Sequence, residues 1–305
     1  MTPNTADELL SEFVNEVIER NPLHADFMNS SLQNMSQHTR QKLDEYLVYC
    51  LTRGLSVEYL VESYNTITSD TLFEQLYFHK HKKYRWSKFS EVAEKVYFDA
   101  HYMQRYMYGL ALTSFLWPNH AAIHDFFIKK FPQGATGTYL EIGPGHGYYF
   151  MEASKIGNFT RLVGVDISAS SIAMTRDIVS HFGVGSRRQV DLIEADFLAF
   201  DALAEPCSCI VMGEVLEHVE EPARFLSRLA HISTRETHIY VTTCVNAPAV
   251  DHIFLYRHPV EIEEMAMKSG LEVKEKLYVP YGNLTIEKCI SKALPINVAY
   301  IFRKA

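Results

Sequence analysis

Acids set beside glycines, and scattered histidines, are the residues of this chain whose types and spacing could do chemistry. The densest stretch is Tyr139-Leu140-Glu141-Ile142-Gly143-Pro144-Gly145-His146-Gly147, an apolar run that ends in an acid and opens into a glycine-rich turn. Glycine tolerates the backbone angles of a tight turn and lets a ligand lie against the main chain. A helix starting there offers unpaired N–H groups. Three ligand classes compete for such a loop. A phosphate-binding P-loop needs GxxxxGK[ST], and no Lys-Ser or Lys-Thr follows. A dinucleotide fingerprint needs a third glycine in GxGxxG, and Tyr148 stands at that position. The third class carries an ammonium group, which Glu141 can bind directly or through water.

Further polar groups follow at regular intervals. Asp166 ends the run Val163-Gly164-Val165-Asp166, where a carboxylate can accept ribose hydroxyls. Asp196-Phe197 ends the next run and suits the amino edge and the face of an adenine. Glu214-Val215-Leu216-Glu217-His218-Val219 follows the fourth run, and Asp251-His252 lies in the loop after the fifth. An imidazole with an ordinary pKa near 6.5 can take a proton from an acceptor at neutral pH. His252 ranks first for that role and His218 second, the latter equally suited to packing or to a bond with a cofactor. His120 and His124 share a helix face at a spacing that metal sites use. Neither an HExxH pattern nor a third ligand accompanies them, so no metal is expected. The 5 cysteines form no CxxC pair. Cys207 and Cys209 open an apolar run, where thiols act as small hydrophobes.

These groups need a scaffold. Up to about Pro132 the apolar spacing is helical, with Leu9, Leu10, Phe13, Val14, Val17 and Ile18 forming one stripe. Further helices are predicted over Ser36–Arg53, starting over Ser56 to Tyr64, over Ser87–Trp117 with a break near Gly109, and over Asn119–Phe131. After Pro132, short apolar runs alternate with helical stretches. They are Thr138–Ile142, Arg161–Asp166, Gln189–Ala195, Cys209–Gly213 and His238–Thr243. That alternation predicts an α/β fold, a doubly wound and mostly parallel sheet with helices on both faces. Leu271–Val279 and Ile296–Arg303 lack a normal-length helix between them, which leaves room for an antiparallel edge pair. The expected division is a helical cap or lid over 1–132, which could also carry an oligomer contact, and an α/β domain over 133–305.

Glu141 with Gly143, Gly145 and Gly147, then Asp166, Asp196-Phe197 and the Glu214–Val219 segment, resemble the motif set of class I S-adenosylmethionine (SAM)-dependent methyltransferases. The resemblance covers roughly Thr138 to Arg303. It implies a Rossmann-like, seven-stranded sheet with an antiparallel last strand, and SAM as cofactor. Glu141 and the glycine loop would hold the methionine portion, Asp166 the ribose, and Ile167, Asp196 and Phe197 the adenine, with Glu214 beside them. The segment from Pro280 to Pro295 exceeds a simple hairpin and could be an added helix.

Aromatic residues add a second expectation. The chain has 18 Tyr, 18 Phe and 2 Trp, and Tyr77, Tyr84, Trp86, Phe89, Tyr97, Tyr102 and Tyr106 crowd just ahead of the α/β half. Tyrosine favours sites with one wet end, and ring faces attract cations such as a sulfonium. Tyr106 is therefore expected at the reacting centre, with Tyr102, Trp117, His120 and His124 near the acceptor. A net charge of −8 argues against a general nucleic-acid binder, and no apolar run reaches a membrane-spanning length. The expected protein is cytoplasmic, a possible homodimer, and moves the SAM methyl group to a small metabolite, for instance in natural product biosynthesis. Two alternatives stay open: a cyclase like azetidine-2-carboxylate synthases that releases methylthioadenosine from SAM alone, and a non-catalytic SAM sensor or scaffold.

Overall fold

The computed structural model describes residues 6–184, 188–201 and 203–305. The helical half contains α1 (Ala6–Arg20), α2 (Ala25–Asn34), α3 (Gln37–Thr52), α4 (Val57–His81), α5 (Phe89–Ala93), α6 (Ala100–Leu116) and α7 (Pro118–Lys130). Side-chain caps set several starts: Ser36 accepts from the Thr39 amide, Ser56 from Tyr59, and Asp99 from His101 and Tyr102. α4, whose start was expected over Ser56 to Tyr64, runs on to His81, because Ile67 and Phe78 continue its buried side. One expectation changes. The interruption between α5 and α6 lies at 94–99, not at Gly109. Gly109 sits inside α6, where an added Cβ would lie 2.4 Å from Ile67 Cγ1 and 2.5 Å from the Ser63 carbonyl oxygen. That glycine serves a close crossing of α6 over α4.

The sheet is built from β1 (Thr138–Ile142), β2 (Arg161–Asp166), β3 (Gln189–Glu194), β4 (Cys209–Gly213), β5 (His238–Val245), β6 (Leu271–Pro280) and β7 (Ile296–Lys304). Its seven strands run in the order β3-β2-β1-β4-β5-β7-β6. β1 to β5 are mutually parallel, and β7 is antiparallel to both β5 and β6. This is the doubly wound, mostly parallel sheet with an antiparallel edge pair that the strand pattern predicted. The crossovers are α8 (Tyr148–Ile156), α9 (Ala169–His181), α10 (Pro222–Ile232) and α11 (Pro259–Lys268), and α12 (Ile286–Lys292) occupies the long segment between β6 and β7. Strand order reverses between β1 and β4, and open α/β sheets bind ligands at the carboxyl ends beside that switch.

Alternation along β1 divides the core. Leu140 and Ile142 face one layer, with Val163, Ile210, Met212, Leu226 and Ile262. Tyr139 faces the other, where Tyr148, Phe150 and Tyr240 merge with Phe13, Tyr46, Tyr64, Phe115 and Phe127 of the helical half. Each such buried side chain contributes about 1.5–3 kcal/mol. The helices thus share a continuous core with one face of the sheet.

Candidate functional site

The glycine loop joins β1 to α8 at the switch point. Gly143, Gly145 and Gly147 have φ of +67°, +55° and +77°, the left-handed region where a side chain is strained. A Cβ on Gly143 would come within 2.7 Å of Val215 Cγ2, and one on Gly147 within 2.8 Å of Thr175 Cα. The glycine amides of the loop are already used. Gly143 N–H donates to the Val165 carbonyl at 2.8 Å and Gly147 N–H to the Pro144 carbonyl at 2.7 Å. Gly145 N–H donates to the Asp166 carboxylate at 3.2 Å, and Tyr148 N–H donates to His146 Nδ1 at 3.2 Å. The unpaired donors that the turn was expected to offer are therefore absent from these positions, and with them the usual means of holding a phosphate.

Carboxylates take their place. Glu141 is buried on the same side of β1 as Tyr139, whose hydroxyl donates to it at 2.5 Å. Burial pushes the Glu141 carboxyl up to about 8, with the Asp166 charge adding to the rise. Asp166 also accepts from Ser168 N–H at 2.8 Å, and burial raises it to about 6. Ile167, next in the chain, leaves its apolar side chain 37% exposed at this edge. Asp196 accepts from Leu198 N–H at 2.8 Å, while Phe197 is buried against Phe225.

A second group of polar side chains gathers beyond β4 and β5. Glu214 (φ +51°) and Asn246 (φ +50°) are both left-handed and stand just after these strands. Such a conformation costs a non-glycine residue about 1–2 kcal/mol. Past the bend, Glu217 is fully buried and accepts from Thr243 Oγ1 at 2.7 Å. Burial and the neighbouring Glu214 drive its carboxyl well above the usual range. His218 Nδ1 lies 3.3 Å from Asp251 Oδ2 and 3.2 Å from the Asp251 carbonyl oxygen. The His252 ring packs at 4.7 Å from that of His218, and its Nδ1 is 2.6 Å from the Ala247 carbonyl oxygen. Burial holds the His252 imidazole down at about 3.

The helical half closes over this group. Tyr97 and Tyr106 each donate a hydroxyl to Asp251, both at 3.0 Å. Tyr102 stacks on Tyr106 with ring centroids 5.7 Å apart and donates to Asp70 at 2.6 Å. Tyr84 donates to the Ala247 carbonyl at 3.0 Å, and Arg257 donates to the Lys82 carbonyl at 3.0 Å. Trp117 donates to the Tyr64 hydroxyl at 3.1 Å and lies against His120, whose Nδ1 is 2.9 Å from Thr113 Oγ1. His124 packs on Tyr148 at 4.8 Å, and burial holds it down at about 3. Their shared helix face therefore does not make His120 and His124 a pair acting on one ligand.

No lysine or arginine among the described residues pairs with these acids. Among the described residues, the ion-pair contacts of Asp70, Glu141, Asp166, Glu217 and Asp251 are with His218 alone. Buried and half-buried carboxylates without lysine or arginine suit a ligand that brings its own positive charge.

Comparison with known proteins agrees with this chemistry. A family model described as a methyltransferase domain matches residues 101–276, more than half of the chain. The chain belongs to the class I SAM-dependent methyltransferases. No curated protein matches the sequence. Among solved structures, the mitomycin 7-O-methyltransferase MmcR is similar at a TM-score of 0.56 with 12% identity, covering 82% of this chain and 70% of that one. The complex of the Haloferax volcanii Trm112 methyltransferase activator with a methyltransferase is similar at 0.50 with 14% identity, covering 68% of this chain and 96% of that one. At such identities the likeness shows the fold.

SAM, the cofactor of this methyltransferase family, carries an ammonium and a sulfonium. The acid-rich donor set and the loop with its glycine amides spent fit those two charges better than they fit a pyrophosphate. The sequence pattern missed Asp70, named Tyr97 only within the aromatic cluster and Asp251 only as a neighbour of His252. No local signal marks their pairing, because the partners lie in distant segments. No helix among the described residues is long and apolar enough to cross a membrane.

Proposed function

We propose that this methyltransferase transfers the methyl group of SAM to a small metabolite, inside a cleft walled by Tyr97, Tyr102 and Tyr106. The observation that carries the reading is the convergence of the Tyr97 and Tyr106 hydroxyls on Asp251. Two rings of the helical half are thereby tied over the carboxyl ends of β4 and β5. When bound, SAM supplies an electrophilic methyl group on a sulfonium, open to in-line displacement by the acceptor.

The chain's own residues then divide the work. Glu141 meets the ammonium, Gly143, Gly145 and Gly147 let the ligand approach the main chain, and Asp166 takes the ribose hydroxyls. Ile167 and Asp196 border the adenine, with Phe197 supporting it from the core and Glu214 closing the far side. Tyr102 and Tyr106 exclude water and present ring faces to positive charge. Trp117, His120 and His124 line the region between α6, α7 and the sheet. Holding acceptor and methyl in near-attack geometry supplies most of the rate enhancement.

At the acceptor end, His252 is a weaker base than the sequence ranking suggests, since burial disfavours its protonated form. Nδ1 of His252 faces the Ala247 carbonyl oxygen, an acceptor, so it carries the proton and leaves the lone pair on Nε2. That nitrogen is the basic atom of the acceptor end, with His218 held beside it by Asp251. Residues 1–132 act in this reading as a fixed wall and possible dimer surface, and 133–305 as the cofactor-binding part.

The test is product analysis. The protein is incubated with SAM alone and with panels of hydroxyl, amine and thiol metabolites. S-adenosylhomocysteine formed only when an acceptor is present supports the reading. Methylthioadenosine from SAM alone would replace it with ring closure, and neither product from any panel would leave a binding protein.

A further inference from the structure

On the face of the sheet opposite Tyr139 and Glu141, a cavity of about 220 Å³ lies between the β3–β4 connection and the C-terminal turns of α10. Leu140 of β1 lines it, together with Phe197, Phe200, Leu203 and Cys207 from the connection. Leu140, Phe197 and Cys207 are buried, and Phe200 and Leu203 pack against the same apolar layer. To these apolar walls α10 adds Arg228. We propose that the cavity binds a small apolar carboxylate, an aromatic acid of the size of benzoate or phenylacetate, with Arg228 as its charge partner.

Arg228 carries the argument. Its guanidinium donates to the Phe200 carbonyl and lies 5.4 Å from the centroid of the Phe197 ring. Its Nε–H is buried and donates to nothing, and among the described residues no carboxylate pairs with it. A buried donor on a charged group is costly to leave unmade. Guanidinium and carboxylate commonly join through two parallel N–H bonds, so an acid's oxygens can take Nε–H and the N–H beside it. The cavity's other groups do not supply that anion. Burial pushes the Cys207 thiol up to about 12, so it stays neutral. Glu205 and His231 also line the cavity but are exposed, where water and salt screen them, whereas Nε is buried. Volume sets the rest of the ligand. An apolar protein cavity of about 150 Å³ admits benzene. One of about 220 Å³ therefore has room for such a ring and a short acidic arm. An inorganic anion would meet the charge and leave the apolar walls without a partner. Phe197 is the residue that this cavity shares with the proposed cofactor region.

The experiment measures binding without turnover. The full-length protein is titrated in a calorimeter with benzoate and with phenylacetate, each beside its neutral amide and beside sulfate, and thermal melting is followed in parallel. Wild type should bind about one acid per chain and melt higher with it. The amides and sulfate should bind about 10-fold more weakly or worse. Arg228→Met should weaken acid binding about 10-fold or more and leave acid and amide alike. Arg228→Lys keeps the charge without the fork and should fall between the two. Arg224→Gln, at an exposed position on the same helix, should bind as wild type does. Circular dichroism checks that each variant is folded, and the acid–amide comparison on wild type keeps the test decisive if an Arg228 variant is not. A wild type that binds neither acid, that binds acid and amide equally, or that binds sulfate as tightly would overturn the site. So would a folded Arg228→Met protein that binds the acids as tightly as wild type. Any of these results leaves methyl transfer standing, and a lack of S-adenosylhomocysteine leaves the carboxylate site standing.

Discussion

The two ends of the sheet's carboxyl edge are built in opposite ways. At the β1–β2 end one short segment supplies nearly everything: Glu141, three left-handed glycines, and Asp166 one strand away, tied back by the Gly145 amide at 3.2 Å. At the β4–β5 end the same density of polar groups comes from far-apart stretches. Tyr97 and Tyr106 reach Asp251 from the helical half, and Glu217 and Thr243 meet between β4 and β5. The first end is a loop whose conformation is local. The second exists only because distant elements are packed together. A local motif can be moved between proteins with its function intact, whereas a packed cluster depends on every element that holds it.

Substitutions can test that contrast, beginning with the packed end. Tyr106→Ala removes a buried ring and leaves an Asp251 oxygen without its donor. It should cost about 3–5 kcal/mol in urea unfolding and abolish most turnover. If it unfolds like wild type, the wall is looser than the packing implies. Gly147→Ala attacks the local end, where φ is +77° and Thr175 Cα would be 2.8 Å from the new Cβ. A loss of about 2–4 kcal/mol is expected, together with weakened SAM binding in calorimetry. Asp166→Asn should weaken SAM binding by roughly 10- to 100-fold with little change in the circular dichroism spectrum, since it removes one charged hydrogen-bond partner. An unchanged affinity would mean that the ribose lies elsewhere.

The smallest effect is a proton. Burial keeps Glu141 protonated in the free protein up to about pH 8, while an unfolded chain ionises it near its ordinary 4.5. A raised carboxyl favours folding fully below 4.5 and loses that contribution as pH rises to 8, so stability should fall across this window. An ammonium beside it reverses the preference, and SAM binding near pH 7 should release up to about one proton. Calorimetry in buffers of different ionisation enthalpy reads that proton. Glu141→Gln should abolish the release and flatten the pH dependence of stability. A release that persists in the variant would point to another group.

Legibility followed the same division. The strand runs and the antiparallel edge pair can be read from the sequence, because a buried parallel strand must be a short apolar run and its crossover a helix. The helix limits are read less well. α4 continues to His81 although its later turns mix exposed Leu72, Phe73 and Leu76 with buried Phe78, a pattern that periodicity alone does not resolve. Gly109 looks like a helix break, yet it is the contact that lets α6 lie on α4. In the loop, the glycines were legible and their amides were not. Gly145 N–H points to Asp166 because β2 lies alongside β1, and that pairing is not in the motif.

What the sequence by itself determined is the α/β scaffold and the placing of Glu141, the glycine loop and Asp166 at strand ends, since backbone angles and strand periodicity are short-range properties. Only the tertiary structure decided that His218 turns its Nε2 toward Glu217, that Asp251 joins two tyrosines to the sheet edge, and that the acids lack lysine or arginine partners among the described residues. Charge neutralisation and hydrogen-bond pairing depend on distances of 3–4 Å between residues far apart in the chain, and those distances are set by the shared core of the two halves.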